Sequence, residues 1–302
     1  MNKRRKFLKL GAAFTAGSFL PLQFCSSPKS ESETAVVEEA VKESVKEKLE
    51  SFGIQLYSVK GDMAENAQEA IKKIAGYGYN QIEGFDGGKG IFWGMKNTDF
   101  KAFTEDLGLD FVASHANVFE NTEKLAAEAG EIGMKYLIAP YVGPQESMED
   151  WKKMADRFNK VGEICKSNGL RFAYHNHGYT FEEQEGQMPQ DFLLENTDPE
   201  LVDFELDIYW AVTAGADPEK YFEKYKNRFR LCHVKDREKG APAGEHNAST
   251  VLGTGTIDYS KVLRTAKDNG MDYFIVEQEK FSGVTPMEAA EKNAAYLKAL
   301  EI

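Results

Sequence analysis

The chain has 302 residues and a formal charge of −12, with 42% hydrophobic and 28% charged residues. That is the make-up of a soluble globular protein, long enough for one large domain or two small ones. So acidic a chain argues against a nucleic-acid backbone as partner, because phosphate binding runs on lysine and arginine. It is compatible with a metal site, which needs carboxylates.

Residues 1–25 read as an export signal. Lys3-Arg4-Arg5-Lys6-Phe7-Leu8-Lys9 precedes an apolar run from Leu10 to Leu22 that is rich in Gly and Ala. A basic start, a short apolar core and a small-residue exit describe a secretory signal, and the paired arginines resemble a twin-arginine signal. The product is therefore expected in the periplasm. Cys25 follows Leu22-Gln23-Phe24 in a pattern that resembles a bacterial lipoprotein processing site, although Phe24 replaces the usual small residue. A lipid anchor at Cys25 is a second expectation. Residues 26–50, dense in Glu and Lys, read as a solvated charged linker.

From residue 51 short apolar runs alternate with amphipathic segments, the pattern of βα units and a parallel sheet. The runs are Gly53–Ser58, Tyr79–Gly84, Asp110–His115, Tyr136–Ala139, Arg171–His175, Val202–Asp207, Arg230–Val234 and Tyr273–Val276. Helical patterns between them include Ala64–Gly76, Thr122–Gly133, Trp151–Asn168 and Pro218–Asn227. Gly108, Gly133, Gly169 and Gly270 stand where a helix C-cap glycine belongs. Eight repeats over residues 51–302 predict an α/β fold, a single (β/α)8 TIM barrel. An open doubly wound sheet would show a glycine-rich fingerprint after its first strand, and Ser58-Val-Lys-Gly-Asp62 is not one. Cys165 and Cys232 fall in buried elements and read as packing thiols.

Chemistry in such a barrel sits at the C-terminal strand ends. Those ends carry Gln55 and Tyr57, Glu83, His115, Tyr141, His175 and His177, Asp207, His233 and Lys235, and Glu277 and Glu279, while strand interiors read as apolar. Alternation puts His175 and His177 on one face. Two imidazoles so placed suit a divalent metal, or one suits metal and the other substrate; a hydrogen-bonded core pair is the alternative. Several carboxylates converging on one mouth repel unless a cation neutralises them, so a metal is expected.

Gly53-Ile-Gln-Leu-Tyr-Ser58, Tyr174-His-Asn-His177, Phe204-Glu-Leu-Asp-Ile-Tyr-Trp210, His233-Val-Lys-Asp236 and Val276-Glu-Gln278 resemble the sugar phosphate isomerase/epimerase group of xylose isomerase-like barrels. The resemblance implies one divalent ion per chain, manganese first and zinc, cobalt or magnesium after it. It also implies ligands at the ends of strands five to eight, which fall on His175, Asp207, His233 and Glu277. At the first position the family's epimerases have glutamate, so only Glu277 remains of their opposed acid–base pair.

On this basis Glu277 is the expected base, and His177 or His115 handles the second proton. Lys235 either holds a substrate oxygen or forms a salt bridge to the neighbours of Asp236 or to Glu205. Gln55, Tyr57, Glu83 and Trp210 are the expected substrate-binding residues; Gln55 and Glu83 have a hydrogen-bond network beneath the pocket as their alternative, and Trp210 has helix packing. Phe92-Trp93 has the same two readings as Trp210. Glu182 either reaches back to orient a histidine or is, with Glu183, a solvated loop acid. Glu245-His246 and Gly253-Thr-Gly255 belong to a loop that either lids the site or simply connects elements. The expected activity is a metal-dependent isomerase or epimerase acting beside a carbonyl on an unphosphorylated sugar. The alternatives are a 3-ketoglycoside lyase or hydratase using β-elimination, and a non-catalytic sugar-binding lipoprotein.

Overall fold

The computed structural model describes residues 47–302, so the expected signal, the Cys25 anchor and all but the last four residues of the linker lie outside the described residues. Eight parallel strands close into a barrel: β1 (Gly53–Gln55), β2 (Gln81–Phe85), β3 (Asp110–His115), β4 (Tyr136–Ala139), β5 (Arg171–His175), β6 (Val202–Asp207), β7 (Phe229–Val234) and β8 (Tyr273–Val276). Each pairs with its neighbours in sequence, and β1 pairs with both β2 and β8 to shut the ring.

Alternation decides what each strand contributes. In β5, Phe172 and Tyr174 point outward and pack on Phe158 of helix Met148–Ser167, with ring centroids 5.3 and 4.9 Å apart. Ala173 joins the small inner core of Tyr136, Ile138, Leu231 and Ile275, and His175 closes the same inward row. Gly169 and Gly270 end the helices before β5 and β8 at φ of 80° and 99°, left-handed values that glycine adopts without steric penalty.

Two expectations needed correction. The first run stops being a strand at Gln55, because its side chain accepts a hydrogen bond from the Tyr57 backbone N–H at 2.9 Å and starts the 3-10 turn Leu56–Val59. Nor are the strand interiors wholly apolar. β6 turns Asp203, Glu205 and Asp207 into the barrel, all buried. Lowest of the three, Asp203 accepts from Arg171 Nη2 at 2.8 Å and from the Tyr136 hydroxyl at 3.0 Å.

Cys165 and Cys232 are buried free thiols, as expected. Among the described residues no helix is long and apolar enough to cross a membrane. At the foot of the barrel the chain's two described ends pair: Glu47 N–H donates to Ile302 O at 3.0 Å, and Ile302 N–H to Glu47 O at 2.8 Å.

Helix Met148–Ser167 approaches the chain entering β6 so closely that a Cβ on Gly162 would stand 2.6 Å from the Leu201 carbonyl oxygen. Gly162→Ala sets a helix-propensity gain of up to about 1 kcal/mol against an overpacking cost of about 1–3 kcal/mol. The clash is with backbone and cannot relax by a rotamer change, so a thermal melt should show a lower Tm; a higher one would mean that the contact yields.

Candidate metal centre at the barrel mouth

Parallel register brings the ends of β5 to β8 together, with His175 beside Glu205 and Asp207 beside His233. His175 Nε2 lies 3.5 Å from Asp207 Oδ2. His233 Nδ1 lies 3.6 Å from the same oxygen and 3.2 Å from Glu277 Oε2. One donor atom from each of these four buried residues falls within 4.8 Å of the others.

The scaffold fixes one atom of each of three ligands and turns the other toward the tetrad. His175 Nδ1 donates to Pro140 O at 3.1 Å, which leaves the Nε2 lone pair facing Asp207. Asp207 Oδ1 caps the helix Ile208–Thr213 by accepting from Trp210 N–H at 2.9 Å. His233 Nε2 donates to Glu83 Oε1 at 2.9 Å, which turns Nδ1 toward the tetrad. Asn176, on the outer face of the Tyr174–His177 motif, straps the end of β6 by accepting from Asp207 N–H at 2.9 Å.

A cation fits this arrangement. His175 Nε2 and Asp207 Oδ2 are both buried with no hydrogen-bond partner, and two facing lone pairs repel unless something positive lies between them. The spacings of 3.2–3.6 Å also suit ligands around one ion, since bonds of about 2.1 Å at tetrahedral angles separate ligand atoms by about 3.4 Å. The second cluster of Glu83, His115, Glu205 and His233 is tighter. His115 Nε2 is 2.9 Å from Glu205 Oε2 and 3.1 Å from Glu83 Oε1. Those are hydrogen-bond lengths, and imidazole N–H groups satisfy them without a metal.

Electrostatics follow from the same contacts. Burial alone would raise the Asp207 and Glu277 carboxyls, but Lys235 and the adjoining histidines outweigh it and hold both below the usual range. Burial opposes a charge on His115, yet Glu83 and Glu205 outweigh it and raise the ring to about 9. Burial, helped by the neighbouring His175 ring, pushes His177 down to about 3 and outweighs the pull of Asp207 and Glu277.

Above the tetrad opens a cavity of about 590 Å³. Its walls include Tyr57, His115, Tyr141, His175, His177, Trp210, Glu277 and Glu279, and no lysine or arginine. Tyr57 and Tyr141 are 36% and 59% exposed, the large hydrophobic side chains left uncovered among the described residues.

Other expected residues fall elsewhere. Gln55 and Glu83 are fully buried and do not line the cavity; Gln55 Nε2 donates to Glu83 Oε1 at 2.7 Å, and the same oxygen accepts from His233, which is the hydrogen-bond network of their alternative reading. Lys235 is also sealed in, its ammonium 3.2 Å from Glu277 Oε2, in contact with Glu279, and over the rings of Tyr209 and Trp210. It neutralises the acids of the mouth and is not free to grip a substrate oxygen. Glu182 and Glu183 are exposed loop acids, and Pro140, not Glu182, orients His175. Phe92 and Trp93 are buried packing residues, Trp93 edge-on against Phe85 at 5.0 Å. The expected lid is held down at one end: Asp236 Oδ2 accepts from Gly253 and Gly255 N–H, both at 3.0 Å, and a Cβ on Gly255 would strike Asp236 Oδ1 at 2.2 Å. Glu205, one of the expected salt-bridge alternatives for Lys235, pairs instead with His115 and His233. Its signal was the alternation Asp203-Phe-Glu-Leu-Asp207, which puts three acids on the face that carries the site.

Elemental analysis after chelation and reloading should find about one divalent ion per chain, and none in Asp207→Ala or His233→Ala. Glu83→Gln weakens the partner of His233 and should lower metal affinity by about 10–100-fold. An unchanged affinity would show that Glu83 does not orient the ligand.

Residues 71–300 match the family described as xylose isomerase-like TIM barrel. Inosose dehydratase of Clostridium perfringens (strain 13 / Type A) is 31% identical over 213 residues, 66% of this chain and 69% of that protein. The crystal structure of a sugar phosphate isomerase/epimerase from Parabacteroides distasonis ATCC 8503 is 28% identical with a TM-score of 0.70, covering 87% of this chain and 97% of that one. The structure of the IolI protein with a bound zinc atom superposes with a TM-score of 0.66 over 81% of this chain and 95% of that one; at 17% identity it shows the fold alone. The chain belongs to the xylose isomerase-like TIM barrel family.

Proposed function

We propose that the chain is a divalent-metal-dependent enzyme that removes the proton beside the carbonyl of an unphosphorylated keto-sugar or keto-polyol and expels the oxygen on the next carbon. The observation that carries this is a metal-capable tetrad with a histidine outside it on either side. His115 and His177 both line the cavity, with ring centroids 5.1 and 5.0 Å from that of His175.

The ligands are His175, Asp207, His233 and Glu277. Manganese is the ion implied by the family resemblance, and two imidazoles with two carboxylates also suit zinc or cobalt. When bound, the ion supplies Lewis acidity toward the substrate carbonyl. Glu277 serves as ligand and not as base, because His233 and Lys235 hold its carboxylate at 3.2 Å each. His177, which lines the cavity outside the tetrad, takes the α-proton. The electron pair left on carbon forms the C=C bond as the neighbouring C–O bond breaks, and His115 gives a proton to the departing oxygen. The products are an unsaturated ketone and water or an alcohol, with no net redox change.

The acidic wall, free of lysine and arginine, suits a neutral substrate better than a phosphate ester. Tyr57, Tyr141 and Trp210 offer flat faces to the C–H side of a ring. An exported enzyme would also meet unphosphorylated material.

From the motifs alone isomerisation came first. Elimination moves ahead of it because a 31% identical relative is a dehydratase, and because His175 replaces one of the opposed carboxylates that epimerisation uses. Isomerisation or epimerisation stays as the second reading, favoured by the 28% identical isomerase/epimerase structure.

Metal-loaded protein should be incubated in D2O with an inosose, a 3-ketoglycoside and an unphosphorylated ketose, and followed by NMR and ultraviolet absorbance. Enone formation from either of the first two is the expected result, with kcat reduced by about 10²–10⁴ in His177→Asn and KM little changed. Solvent deuterium in an epimer without enone would establish the second reading. No turnover, with sugar bound equally well after chelation, would point to a binding protein.

A further inference from the structure

One layer below the tetrad, Glu83, Glu205, His115 and His233 form a closed square. Glu205 Oε2 lies 2.9 Å from His115 Nε2 and 3.4 Å from His233 Nε2. Glu83 Oε1 lies 3.1 and 2.9 Å from the same two atoms. Both histidine strands carry one extra residue just before the square: pairing steps from Ile82↔Phe111 to Glu83↔Ala113, and from Phe204↔Phe229 to Glu205↔Leu231. Such bulges re-aim side chains beside active sites.

Glu205 differs from its neighbours in having no other employment. Asp203 ties Arg171 and Tyr136, Asp207 caps a helix, and Glu83 also holds Gln55. The polar contacts of Glu205 are the two rings, and its Oε1 is buried without a partner. Burying a carboxylate is expensive where an apolar side chain would serve. What the acid achieves is to commit His115 Nε2 inward while that ring lines the cavity, so Nδ1 is the nitrogen left to face a substrate.

We propose that Glu205 is a positioning residue: by accepting from Nε2–H it fixes the ring orientation in which His115 presents Nδ1–H to the substrate. The effect on turnover rests on the function proposed above; the positioning itself rests on the square.

The test uses the full-length, metal-loaded protein and its Glu205→Leu and Glu205→Gln variants. Histidine ¹⁵N NMR, with His115 assigned through a His115→Gln variant, should show a hydrogen-bonded His115 Nε2–H signal in the parent and a shifted, broadened one in Glu205→Leu. Both variants should keep the bound ion and a KM within about 2-fold, while kcat falls by about 10–100-fold in Glu205→Leu and less in Glu205→Gln. If Glu205→Leu does not fold, Glu205→Gln carries the same comparison with the smaller change. Unchanged His115 signals, or an unchanged kcat, would overturn the proposal. Loss of the ion would overturn it too and assign Glu205 to the metal centre, as would uptake of a second ion that depends on Glu205. Absence of turnover in the parent would remove the functional reading alone, because the NMR comparison does not depend on activity.

Discussion

Burial of three carboxylates along one face of a single strand is the constraint around which this barrel is arranged. Asp203, Glu205 and Asp207 all point inward from β6, at three depths, and none is more than 2% exposed. Each depth has its own remedy. At the bottom the Arg171 guanidinium and a tyrosine hydroxyl satisfy Asp203. In the middle, two imidazoles share Glu205 with Glu83. At the top, Lys235 lies 3.8 Å from Asp207 Oδ2, too far for a hydrogen bond, and that oxygen has no partner. The progression from fixed cation to shared protons to an unfilled valence leads to the mouth, where a divalent ion would complete it.

Lys235 makes the site workable before any ion arrives. Asp207, Glu277 and Glu279 would otherwise face one another across the opening, and repulsion between them would raise one or more to the protonated form. The buried ammonium keeps Asp207 and Glu277 ionised and so available as ligands. The same contacts occupy Glu277 and leave proton handling to the histidines outside the tetrad. An acid–base set of two histidines outside the ligands suits elimination, in which one proton leaves and one is returned to a departing oxygen.

Much of this was legible in the sequence. The eight strands follow from apolar runs bounded by C-cap glycines, and the choice of His175, Asp207, His233 and Glu277 among the polar strand ends is what the resemblance to xylose isomerase-like barrels implies. What could not be read was depth. Gln55 and Glu83 stand at strand ends exactly as Tyr57 and His115 do, yet two-residue periodicity gives a face and not a layer, and both proved to lie under the cavity floor. Lys235 shares a face with His233, but whether a long side chain reaches substrate or folds onto neighbouring acids depends on what lies across the barrel. Glu205 is the opposite case: its inward face is visible in the alternation, but its partners, His115 and His233 in place of Lys235, depend on what the other strands bring across the barrel.

The most direct test is crystallographic. A crystal of the manganese-loaded protein, measured at the manganese absorption edge, should give one anomalous difference peak bounded by His175 Nε2, Asp207 Oδ2, His233 Nδ1 and Glu277 Oε2. No peak after loading, or a peak inside the square of Glu83, His115, Glu205 and His233, would contradict the assignment of the metal centre and the division of labour built on it.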